Sequence, residues 1–163
     1  MKTTLRDSAS ARWLVLMLLA LAMFCSYIFM DILSPIKDLM QSTRGWDSTA
    51  FGTMQGSETF LNVFVFFLIF AGIILDKMGV RFTGVMSTAL MFIGAAIKWY
   101  AVDNGFSGEM FGLPMQVVIA CLGFAIYGMG CEIAGITVTK VIAKWFTGHE
   151  MALAMGLQVA LAR

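Results

Sequence analysis

The chain has 163 residues, of which 60% are hydrophobic and 13% charged, with a formal net charge of +1 and a mean hydropathy of +0.85. A soluble domain of this length has too little interior to hide so much apolar surface, and the near-neutral balance offers no field for nucleic acid or an acidic partner. The composition points to an all-α membrane protein: four apolar blocks reach the roughly 20 residues that a bilayer span takes, and no ten-residue stretch alternates with period two as a membrane barrel strand does.

Residues 1–12 are polar and carry Lys2, Arg6 and Arg12. The first span is expected over 13–36; "ALA" at 20–22 resembles a cleavage site, but the apolar run continues past it, so an uncleaved span is expected rather than a secretory signal. Residues 37–57, with Lys37, Asp38, Arg44 and Asp47, read as a polar loop. A second span over 58–75 is followed by the charged turn "DKMGVR" and a third span over 82–101. A loop over 102–114 ends in Pro114, which suits the start of a fourth span over 115–142. After "AKWFTGHE" a fifth apolar run begins from 150, too short before Arg163 to cross a bilayer, so the sequence reads as the front part of a larger protein. Lys2, Arg6, Arg12, Lys77, Arg81 and Lys144 fall on one side of these spans, with Lys140 close by; Lys37, Arg44 and Lys98 fall on the other. That excess predicts an integral membrane protein with a cytoplasmic N-terminus.

The tight turn "GIILDKMGVR" combines Gly72, Asp76, Gly79 and Arg81. Gly72 admits close approach of another helix and Gly79 a sharp reversal. Asp76, at the cytoplasmic end of the second span, can accept hydrogen bonds from a helix N-terminus. The same residues also suit an ordinary charged loop.

G-x-x-x-D-K-x-G-x-R between spans two and three resembles the signature loop of the major facilitator superfamily. The resemblance implies twelve helices in two six-helix halves around a central cavity, working by alternating access. Gly72, Asp76, Gly79 and Arg81 would then belong to a cytoplasmic gate, with Asp76 meeting a helix of the second half, which lies outside this chain. "SYIFMDILSPI" (26–36), "GMGCEIAG" (128–135) and "KWFTGHEMALAMGLQVALAR" (144–163) are similar to the branch of that superfamily containing the lysosomal dipeptide transporter. The carrying features are Tyr27, Asp31 and Pro35, the run ending in Glu132, the run from Trp145 to Glu150, and Ala162 with Arg163. Many relatives carry an arginine early in span four where Phe124 stands here, which leaves proton symport and facilitated diffusion both open.

Glu132 and Arg163 carry opposite charges in the fourth span and the fifth apolar run. Spans four and five are joined by a short loop, and the midpoint between the two residues falls in "FTGH", so they lie at equal depth. At about 1.5 Å per residue that depth is roughly 10–15 Å. Opposite charges on neighbouring helices compensate one another, and an intramembrane charge left alone costs roughly 2.5 kcal/mol or more. A structural salt bridge is one reading. The family resemblance implies the other, a substrate clamp with Glu132 on an α-amino group and Arg163 on an α-carboxylate. Asp31, with Tyr27 and Ser34 on its face, reads either as part of that site or as a carboxylate at the water interface. Lys140 is expected to snorkel to the cytoplasm, and His149 to be solvated.

Other patterns fall away. "GMGCEIAG" lacks the preceding strand of a dinucleotide loop, and Gly130 with Ala134 fits a small-x-x-x-small helix contact instead. "HEMAL" has Leu153 where a zinc helix needs its second histidine. Cys25, Cys121 and Cys131 read as packing residues. No cofactor, metal or catalytic constellation is expected, and no enzyme. The expected function is secondary transport of a small polar solute, with a dipeptide as the candidate; the expected partners are the lipid bilayer, that solute and a second transporter half. The alternative is a non-transporting membrane assembly module or an inactive transporter fragment. In the absence of a targeting motif, a bacterial inner membrane is the expected location.

Overall fold

A computed structural model describes residues 7–64 and 66–163. Lys2 and Arg6, which contribute to the orientation argument, lie outside the described residues, as does Val65 within the expected second span. The described chain is almost wholly helical: α1 (Ala9–Asp31), α2 (Lys37–Arg44), α3 (Ser48–Phe64), α4 (Phe67–Asp103), α5 (Met115–Trp145) and α6 (Met151–Ala162), with one two-stranded hairpin, β1 (Glu109–Met110) and β2 (Leu113–Pro114). Among the described residues, Ala9–Arg44, Phe67–Asp103 and Met115–Trp145 are long and apolar enough to cross a membrane. Large apolar side chains such as Leu14, Leu18, Leu21, Ile69, Val85 and Phe92 stand exposed along them. A soluble monomer rarely tolerates such continuous patches, whereas a bilayer covers them.

The expected polar loop over 37–57 is mostly helix. Gly45 closes α2 in the left-handed conformation (φ 69°), its N–H donating to the Gln41 carbonyl at 3.1 Å. Two residues later the Asp47 carboxylate accepts the Ala50 N–H at 2.7 Å and so starts α3. The second expected span, 58–75, is therefore split between α3 and the first part of α4, with Phe66 left-handed at the junction (φ 52°). The 310 turn Ser34–Ile36 at Pro35 separates α1 from α2. Within α4 the backbone leaves helical geometry at Gly79 (φ 79°, ψ 172°), a conformation open to glycine alone. The residues before and after that break correspond to the end of the second expected span and the whole of the third. The loop expected over 102–114 contains the hairpin, in which Phe111 and Gly112 both take positive φ, as a two-residue type I′ connection requires.

The chain divides into two compact units, one of residues 1–32 with 135–163 and one of residues 33–134, so α5 contributes to both. In the first unit α1 packs along α6. Its buried positions Arg12, Leu16, Ala20 and Met23 recur at helical spacing, and Ala154, Gln158 and Ala162 do the same on α6. Trp13 meets Phe146 edge-on at 5.3 Å.

In the second unit α4 and α5 approach closely through glycine. Gly94 faces the Tyr127 backbone and Gly123 faces the Lys98 backbone, while Gly130 lies against Met91 and Ser87. Ser87, Gly94, Lys98 and Ala101 are buried on α4, and Val117, Ala120, Phe124, Tyr127 and Cys131 on α5. Both rows step by about three and four residues, the spacing of interlocking helices. Gly128 takes the backbone of Glu58 on α3.

Candidate functional site

In the first unit, packing of α6 on α1 brings Arg163 to Tyr27. The guanidinium carbon lies 5.0 Å from the centroid of the tyrosine ring, within the range of a cation–π contact. Tyr27 is half-buried and Arg163 exposed. Asp31, the last residue of α1, is exposed one turn beyond Tyr27. Two of the four residues expected to meet a solute are thus in contact, and a third shares the face of one of them. A planar cation with five N–H donors beside an aromatic ring suits recognition of a carboxylate.

Glu132 belongs to the second unit, half-buried on α5 between the buried Cys131 and Ile133. The expected small-residue contact at Gly130 is present: a β-carbon there would stand 2.7 Å from Met91 Cγ and 2.8 Å from the Ser87 carbonyl oxygen. Around the tight turn, Asp76 and Arg81 are exposed on either side of the Gly79 break. At Gly72 the β-carbon position faces open space, with no atom of another described element within 4 Å. His149 is exposed at a cavity of about 260 Å³ that Asp7, Lys144, Trp145 and Thr147 also line. Lys140 is half-buried.

Two polar clusters of the second unit went unremarked in the sequence. Lys98, counted there as an outer-loop charge, is buried with its ammonium 3.9 Å from the centroid of the Phe124 ring. Phe124 in turn stacks on Tyr127 at 6.4 Å. The position without arginine is therefore filled by a ring that itself supports a cation. The other cluster centres on buried Gln116, whose Oε1 accepts the Trp46 indole N–H at 3.1 Å. Its Nε2 donates to the carbonyls of Val102 at 3.1 Å and Asn104 at 3.2 Å. One amide thus ties the start of α5 to Trp46, two residues before α3, and satisfies carbonyls at the end of α4 that the helix leaves over. A lone glutamine just after Pro114 was the available signal.

A family model described as Major Facilitator Superfamily matches residues 19–162. The chain belongs to the major facilitator superfamily. Among curated proteins it is similar to the lysosomal dipeptide transporter MFSD1 of Homo sapiens, at 26% identity over 153 residues. It is likewise similar to the Mus musculus protein of that name, at 28% over the same length. These alignments take in 93% of this chain and 30% of each relative, so this major facilitator chain spans about a third of the length of the relatives it matches. No solved structure matches. The relatives are mammalian proteins named for the lysosome, and the expected bacterial inner membrane draws no support from them.

Proposed function

We propose that the chain forms part of a secondary transporter, not an enzyme, that moves a small polar solute across a membrane by alternating access, with a dipeptide as the favoured solute. The observation that carries this reading is Arg163, whose guanidinium carbon lies 5.0 Å from the centroid of the Tyr27 ring. Superfamily membership and the dipeptide transport named for the relatives support it. In this proposal Arg163 takes the solute's α-carboxylate and Glu132 its α-amino group, with Asp31 and Tyr27 beside them.

The same proposal assigns Gly72, Asp76, Gly79 and Arg81 to a cytoplasmic gate that closes against a second transporter half, and gives the N-terminus to the cytoplasm. The assembly-module alternative gains nothing from the relatives, which are transporters by name. Uptake of a radiolabelled dipeptide by the full-length protein in liposomes tests the reading. Glu132→Gln and Arg163→Ala should each reduce uptake about tenfold or more, the scale on which a paired charge acts when its partner is removed. Undiminished uptake by both variants would sink it.

A further inference from the structure

We infer that Tyr27 is a positioning residue: its ring is the platform that fixes the Arg163 guanidinium, and through it the preference for solutes with a free α-carboxylate. The inference rests on the transport reading above and deepens it. Arginine has a long side chain with several rotatable bonds, and ordering it on binding a ligand opposes affinity. A ring 5.0 Å from the guanidinium carbon restricts those rotamers before any ligand arrives. The two ends of this contact are themselves anchored. Tyr27 is half-buried within the 23-residue helix α1. The residue before Arg163, Ala162, is buried in the first unit, which fixes the backbone from which the arginine departs.

The chemistry of a guanidinium also separates the two interactions open to it. An aromatic ring attracts the cation through its face, whereas the five N–H donors lie in the guanidinium plane, where a carboxylate is gripped in a bidentate fashion. Platform and ligand therefore do not compete. A ring without a hydroxyl serves equally, because the contact uses the π-face. An aliphatic side chain of similar volume fills the space and provides no attraction for the charge.

The test compares uptake of alanyl-alanine with uptake of its C-terminal amide by the full-length protein in liposomes. Tyr27→Leu should raise KM for alanyl-alanine roughly 3- to 10-fold, the range of a cation–π contact. The maximal rate should stay within about twofold, and KM for the amide should not change. Tyr27→Phe should keep the parent protein's preference for the acid over its amide. A role in packing alone would make Tyr27→Leu impair both compounds equally, and that result overturns the inference. So does Tyr27→Phe behaving like Tyr27→Leu, which would assign the effect to the hydroxyl. If Arg163→Ala abolishes discrimination between acid and amide while Tyr27→Leu preserves it, the platform fails and the transport reading stands. If Arg163→Ala also leaves discrimination untouched, both fall.

Discussion

Gly123 offers a stringent test of the packing in the second unit, because its substitution sets two effects of opposite sign against each other. In a helix interior, replacing glycine with alanine is favourable by roughly 0.5–1 kcal/mol from backbone entropy alone. At Gly123 the added methyl would stand 2.6 Å from the Lys98 backbone nitrogen and 2.9 Å from the Gly94 carbonyl oxygen. Both atoms belong to the backbone of α4, so neither can yield by rotating a side chain. Ordinary contact begins at 3.4 Å, which leaves α4 and α5 to part by about 0.8 Å. A gap of that size forfeits about a quarter to a half of the dispersion attraction across the contact, and overpacking of this kind costs about 1–3 kcal/mol. The overpacking outweighs the entropic gain, for a net loss of about 1–2 kcal/mol and a melting temperature lower by several degrees. Thermal unfolding of the detergent-solubilised full-length protein measures it. Gly84→Ala, on the facing helix α4, is the control, since no atom of another described element lies within 4 Å of its β-carbon position, and it should melt at or slightly above the parent. Gly123→Ala melting as high as Gly84→Ala would refute the close approach of α4 and α5.

Two further outcomes follow from local geometry. Gly79→Ala forces a β-carbon into a backbone conformation at φ 79° and ψ 172°, with a cost of about 1–3 kcal/mol; the same thermal assay should show a clear decrease, and no change would mean that the break within α4 is not maintained. Gln116→Leu leaves the buried Trp46 indole N–H without its acceptor and takes the amide donor from the Val102 and Asn104 carbonyls. A loss of about 1–3 kcal/mol is expected, together with a change in tryptophan fluorescence as the indole gains a new environment, and an unchanged melt and spectrum would remove Gln116 from this role.

Much of the helical organisation was legible because bilayer spans advertise themselves by length and apolar content alone. The starts of α4's later part and of α5 could be read from Gly79 and Pro114, where backbone chemistry punctuates the chain. The 37–57 region was misjudged because polar content outweighed finer signals. Its capping residues, Gly45 and Asp47, stand three positions after Ser42 and just ahead of α3, and buried Ala50, Phe51 and Met54 form a narrow stripe. Hydropathy averages over such a stripe and sees a loop. The contact between Tyr27 and Arg163 was not legible as geometry, since it joins α1 and α6 from opposite ends of the sequence and no periodicity links them.

Lys98 and Arg163 show why depth alone does not identify a transport residue. Both are cations on apolar helices, and sequence position places each within reach of the membrane. Hydropathy cannot tell which way either points. Lys98 is enclosed, its ammonium over Phe124 and its backbone against Gly123, so a solute would have to displace α5 to reach it. Gln116 is similarly enclosed, and its three hydrogen bonds occupy the amide within the chain. Polar groups of this kind hold helices in register, because an enclosed group that lost its contacts would face apolar surroundings at a cost of several kcal/mol. Arg163 differs in its contact, its guanidinium carbon lying 5.0 Å from the centroid of the Tyr27 ring. On that physical distinction Lys98 and Gln116 belong to the packing around α4 and α5, where their contacts are already made within the chain.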